Sequence, residues 1–435
     1  MTASQALLGP RALTRARSLL WSRWFAVVLF LAVAVVLWVV IGVGGAIGRD
    51  EHGGPLSFAG YSGPMFLEGW ARFDAGWYRS IADNGYFYDP GAQSSVAFFP
   101  AYPHVMGFFG DVFGGEPFVW GVLVTFLSGF VVVVLFHQWC RERVGAAATP
   151  AAVAALALWP YAWYLFGAVY ADALFLAAVL AAFVLLERDH VLFAALAGAV
   201  ATATRPVGAA VVLGLALRLL ERRGALRVPG LERMRLFRTT HRPGAPADVD
   251  EPAVDAGRAV VFDLRRLRAI DPAILLAGAG LVAYVVYRWR TFDEPFAFAE
   301  AESAPGWDQR PGLKTWFKTA WMSRVVHMPD TADMYLANIT FQAVLAIGLL
   351  LLVPLVVRRF GWGYGVYTFA VLAIPLIGSK DFMGLGRYAL TAFPSFAVLG
   401  VALTDRPRVR VGWFLVSGAL LVLLTYSYAK GEYVA

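Results

Sequence analysis

Trp24-Phe25-Ala26-Val27-Val28-Leu29-Phe30-Leu31-Ala32-Val33-Ala34-Val35-Val36-Leu37-Trp38-Val39-Val40-Ile41-Gly42-Val43-Gly44-Gly45-Ala46-Ile47 carries no charged side chain from end to end. That is longer than the ~20 apolar residues needed to cross a bilayer's hydrocarbon. The hydrophobic core of a signal peptide is shorter and runs into a small-residue cleavage site. The stretch therefore reads as a permanent membrane span. The rest of the chain agrees, with 59% hydrophobic and 15% charged residues over 435 positions, far from the roughly 25% charged residues of a soluble domain.

Working outward, arginines gather beside spans. Arg11, Arg15, Arg17 and Arg23 precede the first, and a dozen lie between Arg218 and Arg268. This is the positive-inside pattern and places the N-terminus in the cytoplasm. It also accounts for the net charge of +7 without a nucleic-acid partner. The single cysteine excludes an internal disulfide, and the six histidines show no metal-ligand spacing.

Further spans are expected at 117–139, 150–165, 169–187, 271–287, 337–357, 363–379, 385–403 and 410–428, with 190–221 as a hairpin whose tip carries Arg205. An arginine at the bilayer centre costs at least ~2.5 kcal/mol, which favours a tip position. The fold class is all-α and polytopic, with about eleven crossings and structured outer loops. Its parts are a basic cytoplasmic N-terminus (1–23), an N-terminal membrane half (24–221) with a first outer loop at 48–116, a basic cytoplasmic loop (222–270), and a C-terminal half (271–435) with a second outer loop at 288–335. In the first loop, Phe66, Trp70, Phe73, Trp77 and Ile81 recur at helical spacing and predict one amphipathic surface helix with Asp74 at the edge of its apolar stripe. Residues 97–113, broken by Pro100, Pro103 and Gly107, are expected to dip into the interface rather than cross.

The segment Arg72-Phe73-Asp74-Ala75-Gly76-Trp77-Tyr78, with Ile81-Ala82, Gly85-Tyr86 and Ala97-Phe98-Phe99-Pro100, resembles the first outer loop of the PIG-V-like mannosyltransferase family of the GT-C superfamily. Phe166 to Phe175, Ala203 to Gly208, and Arg387-Tyr388 with Phe393-Pro394 are similar to later stretches of that family, in the same order. Phe73 stands where the family usually has Trp, Asp172 where it tends to have Glu, and Ala101 where Leu is commoner; these departures bear on the acceptor more than on the reaction. The resemblance implies a GT-C-like bundle and an inverting transfer of mannose from a polyprenyl-phosphate-mannose donor. The acceptor would be a lipid-linked or cell-envelope glycan on the extracytoplasmic face of the cell membrane. The site must lie at the membrane surface, because the carrier's tail stays in the bilayer at ~0.8 kcal/mol per buried methylene.

Asp74 is then the catalytic candidate. As general base it takes the acceptor hydroxyl's proton, with burial among Trp70, Trp77 and Tyr78 raising its pKa; otherwise it is a surface carboxylate paired with Arg72 or Arg79. Tyr78 beside it is a substrate-binding candidate. Asp172 either orients the acceptor, shares a proton or helps hold a cation, or simply caps the helix that follows. Arg205, Arg387 and Lys380 either neutralise the leaving phosphate, which a guanidinium fork does bidentately, or snorkel at span ends. His104 is a phosphate or sugar contact or a satisfied structural group. The cofactor is unknown: a divalent cation is compatible with the reaction, but no Asp-x-Asp cluster supports one. A transporter or lipid flippase is the alternative class, disfavoured by the lack of internal repeats; a GT-C enzyme with another sugar or a protein acceptor is the other.

Overall fold

The computed structural model describes residues 10–52, 63–228, 261–309, 312–327 and 334–434; in its first helix, side chains are described from Trp24 to Arg49. Most of the basic loop expected at 222–270, the side chains of the basic N-terminus, and parts of both outer loops lie outside the described residues. Five helical stretches are long and apolar enough to cross a membrane: Trp24–Arg49, Pro117–Arg143, Asp271–Phe292, Met334–Phe360 and Pro407–Ala429. The chain is a helical, multi-pass membrane protein.

In order the helices are α1 (Pro10–His52), α2 (Ala75–Asn84), α3 (Ala101–Phe113), α4 (Pro117–Arg143), α5 (Thr149–Ala157), α6 (Asp172–Glu187), α7 (Val191–Thr202), α8 (Ala209–Arg222) and α9 (Ala279–Phe292). The second part holds α10 (Ala297–Glu302), α11 (Leu313–Trp316), α12 (Thr319–Val326), α13 (Met334–Leu350), α14 (Val353–Phe360), α15 (Trp362–Gly378), α16 (Leu385–Leu390), α17 (Phe393–Thr404) and α18 (Pro407–Ala429). The only strands among the described residues are Leu226–Arg227 and Val261–Phe262, paired antiparallel beyond α8. At that end Glu187 receives Arg143, Arg218 (2.6 Å) and Arg222 (2.7 Å), tying α4, α6 and α8 together. The arginine-rich turns thus meet at one end of the bundle, and the loops with α2, α10 and α16 at the other.

Three expectations are corrected. The single helix over 66–81 is two pieces, a 3-10 helix at Met65–Trp70 and α2, because the chain turns at Phe73, whose φ of 51 interrupts any helix. The span expected over 150–165 stops at Ala157. Pro160 disfavours helical backbone in the residue before it, and the stretch from Leu158 to Ala171, whose only helical piece is the 3-10 turn Ala162–Leu165, is buried apart from the half-buried Leu158. Its carbonyls are met by the rest of the bundle: Trp38 donates to Phe166 (2.9 Å), Thr125 to Ala168 (2.9 Å) and Ser417 to Leu158. Irregular backbone at membrane depth is tolerable only when buried in protein in this way. The crossing expected over 385–403 is likewise divided, into α16 and α17. The Arg205 hairpin is present, with its tip between α7 and α8, and α3, at 13 residues, is too short to cross.

A glycine sets one close approach between α4 and that buried stretch. A Cβ at Gly129 of α4 would meet the Leu165 carbonyl oxygen at 1.7 Å, whereas one at Gly418 of α18 would meet nothing within 4 Å. Gly129→Ala should therefore destabilise the protein by at least ~1–3 kcal/mol, the usual cost of overpacking, and lower its thermal midpoint in detergent, while Gly418→Ala leaves the midpoint unchanged.

Candidate active site

Asp74 directly precedes α2, just past the turn at Phe73. Two anchors fix that turn. Trp70 is fully buried, its carbonyl accepts from the Val169 amide (3.1 Å) and the Tyr428 hydroxyl (3.2 Å), and its indole lies against Gly167, where a Cβ would come within 2.8 Å. Arg72, also buried, donates Nε (3.0 Å) and Nη2 (2.8 Å) to the Ala429 carbonyl at the end of α18, and Nη1 to Glu68 (3.2 Å). Glu68 is held in addition by Arg49 (2.6 Å). Arg72 is thus not the partner of Asp74, and neither is Arg79, which pairs with Asp83 (3.0 Å) and Glu116 (3.2 Å).

The partner is Arg387 of α16, whose Nη1 lies 3.2 Å from Asp74 Oδ2. The Asp74 backbone amide donates to the Tyr170 hydroxyl (3.1 Å). The Arg387 guanidinium sits over the rings of Tyr170 (4.9 Å), Tyr388 (5.4 Å) and Tyr164 (5.9 Å). A second pair adjoins it: Asp172, at the start of α6, accepts a hydrogen bond from Arg205 at the hairpin tip, and Arg205 lies 4.2 Å above the same Tyr388 ring. The two acids and two arginines, drawn from α2, α6, the α7–α8 tip and α16, converge on one aromatic floor. Their burial differs: the Asp74 side chain is 27% exposed and that of Asp172 only 2%.

Tyr78, one turn into α2, is buried with its ring against Phe98 (5.3 Å), Tyr102 (5.0 Å) and Tyr170 (6.1 Å), and so borders the cluster. Trp77 stacks on Phe98 (5.7 Å) and meets Trp307, between α10 and α11 (5.4 Å). Lys380 does not join the arginines. Its Nζ holds the Gly306 carbonyl (2.9 Å) and Asp308 (3.1 Å), so it fixes the residues flanking Trp307. His104 also stands apart, bonded to the Pro100 carbonyl (2.8 Å) and stacked on Tyr86. Among the described residues no group of three His, Cys, Asp or Glu is placed to hold a metal ion.

Sequence reading named Tyr170 and Tyr388 only within the stretches that carry the resemblance, without their links to the Asp74 amide and to the two arginines, and did not single out Trp307 or Glu302. Glu302, at the end of α10, is pushed up to about 7 by burial, against the opposing pull of Arg288 and Arg205.

Fold and site together define a helical multi-pass membrane protein with a paired acid and arginine cluster at the end of its bundle opposite the arginine-rich turns. No protein-family model matches the sequence, and no curated protein does. Among solved structures the chain is similar to ArnT from Cupriavidus metallidurans bound to undecaprenyl phosphate, at 17% identity and a TM-score of 0.46, covering 94% of this chain and 76% of that one. It is also similar to the Archaeoglobus fulgidus oligosaccharyltransferase in the apo form, at 13% identity and a TM-score of 0.43, covering 93% of this chain and 56% of that one.

Two outcomes follow from the geometry. Asp172→Asn leaves Arg205 buried without its counter-charge and should cost ~3–5 kcal/mol of stability, whereas Asp74→Asn, in a part-exposed pair, should cost ~1 kcal/mol or less; thermal unfolding of the two variants in nanodiscs compares them. Glu302 keeps its proton to about pH 7 in the folded chain, while the unfolded chain releases it near the ordinary 4.5. The folded state therefore binds more protons within that window, and stability falls as pH rises through it. Glu302→Gln should remove that part of the slope in melts taken across the window.

Proposed function

We propose that the protein is a membrane glycosyltransferase of the GT-C type, transferring mannose from a polyprenyl-phosphate-mannose donor to a lipid-linked or cell-envelope glycan. The observation that carries this reading is the Asp74–Arg387 pair at 3.2 Å: a part-exposed carboxylate beside a cation, backed by a second arginine, is what displacement of a phosphate leaving group by a hydroxyl requires. The placement of Asp74 and Asp172 at helix starts, Arg205 at a hairpin tip and Arg387 in the six-residue α16, rather than within a membrane-long helix, supports an enzyme at the membrane surface over a transporter. The arginine-rich turns at the opposite end support a cytoplasmic N-terminus and a site on the extracytoplasmic face.

In this reading the donor's phosphate draws the Arg387 guanidinium to itself, and Asp74 is released to act. The acceptor hydroxyl oxygen attacks the anomeric carbon while Asp74 Oδ2 takes its proton. The bond from that carbon to the phosphate oxygen breaks, and its electron pair leaves with the phosphate. Arg387 and Arg205 meet the charge that develops there, where preorganised cations act most strongly. Attack opposite the leaving group inverts the anomeric centre. Tyr170 holds the Asp74 backbone, Asp172 holds Arg205, and Tyr78 with Trp77 borders the sugar. Lys380 acts at one remove by fixing the loop that bears Trp307.

The test is transfer from a radiolabelled polyprenyl-phosphate-mannose donor in membranes. Asp74→Asn should lower the rate by ~10²–10⁴-fold, the usual worth of a general base, with the protein still folded. Full retained transfer in Asp74→Asn would remove the assignment, and glycan profiling of a strain lacking the protein identifies the acceptor.

A further inference from the structure

Helix α9 turns Val282, Tyr287 and Trp289 outward, yet Arg288 between the last two is fully buried. Its guanidinium lies 4.1 Å from the ring centre of Tyr284, 4.4 Å from that of Phe298 on α10 and 5.7 Å from that of Phe99. Nε, Nη1 and Nη2 are all buried, and none has a hydrogen-bond partner among the described residues. Ring faces stabilise such a cation by ~2 kcal/mol when it is desolvated, but they accept none of the guanidinium's N–H groups. An uncompensated buried ion costs several kcal/mol, so the box is incomplete as it stands. Its surroundings place it beside the catalytic cluster: Glu302 of α10 is within electrostatic reach of both Arg288 and Arg205, and Phe98, next to Phe99, forms the wall with Trp77 and Trp307.

We propose that Arg288 is an anion subsite, separate from the Asp74–Arg387 pair, that takes the phosphate of a lipid whose tail lies along the outward face of α9. A guanidinium fork matches phosphate oxygens bidentately and is the side chain suited to a buried anion. The lipid source follows from position. Arg288 sits near the end of the Asp271–Phe292 span, whose outward face carries exposed Leu275, Val282 and Trp289 and adjoins the acyl region of the bilayer. Phosphate entering the box takes the place of the Phe298 ring and shares Arg288 with Glu302, so α10 moves to admit it. None of this depends on which sugar is transferred, or on transfer itself.

The measurement uses the full chain in phosphatidylcholine nanodiscs, in an Arg387→Met background that removes the Asp74-paired cation and leaves Arg205 neutralised by Asp172. The probe is radiolabelled farnesyl phosphate, with farnesol and inorganic phosphate as competitors. Saturable binding is expected, displaced by unlabelled farnesyl phosphate but not by farnesol or millimolar inorganic phosphate. Arg288→Met in that background should weaken it about tenfold or more, the worth of charged hydrogen bonds, and Arg288→Lys should restore part of it. Binding absent from the Arg387→Met protein, or unchanged by Arg288→Met, overturns the proposal. Full displacement by inorganic phosphate overturns the lipid assignment. Should Arg288→Met fail to fold, Phe298→Ala opens the box with the arginine intact: tighter binding is expected, and unchanged or weaker binding refutes the subsite. Because sugar and acceptor play no part, inactivity or activity of Asp74→Asn leaves the result unaffected.

Discussion

The bond from Arg72 to the Ala429 carbonyl is the constraint on which the arrangement rests. A buried guanidinium that reaches the unsatisfied carbonyl end of α18 relieves two liabilities together, an orphan acceptor and an ion removed from water. Glu68 completes the neutralisation from the other side, and Arg49 secures Glu68. With Arg72 committed there, Asp74 two residues later has no neighbour in sequence to pair with, and it meets Arg387 instead. The charge pairing of the site is therefore decided as much by what Arg72 is bonded to as by Asp74 itself.

How much of this could be read from the residues depends on the distance over which each is decided. Long apolar runs declare the major spans because bilayer thickness is a local constraint on length. The Arg205 tip was legible for a similar reason, since the cost of a charge at mid-membrane leaves few places for it. The break between Met65–Trp70 and α2 was not legible, because helical spacing of aromatics is the same for one helix as for two short ones on a common line. Nor was the partner of Arg72, which lies 357 positions away. Lys380 shows the opposite error: nearness to Arg387 in sequence suggested a shared task, whereas its side chain turns toward Asp308. Arg288 stands between the exposed Tyr287 and Trp289 and reads as one more basic residue at a span end; only the packing of α10 against α9 separates it from them.

The loop between α9 and α13 enters the site by a different logic from the one between α1 and α3. The earlier loop is locked by buried contacts, the later by a set of tethers to the turn before α16. Lys380 holds Gly306 and Asp308, Gln309 accepts from the Lys380 amide (2.9 Å), and Lys318 donates to the Ser379 carbonyl. The Lys380 and Asp308 pair is partly exposed, and ion pairs of that kind contribute little and weaken with salt. Trp307 and α10 are thus carried on the more yielding of the two loops, while Asp74 is carried on the firmer one.

The contact between Arg72 and the end of α18 also bears on biogenesis. Asp74 leaves the ribosome well before the residues that seat it and its loop: Arg387 follows 313 positions later, and Tyr428 and Ala429 later still. Until α18 has entered the bilayer, Arg72 lacks the carbonyl it is bonded to and must remain hydrated. Seating of the first loop consequently waits on α18, and a nascent chain arrested before that helix would carry Asp74, Asp172, Arg205 and Arg387 without the contact that holds Arg72.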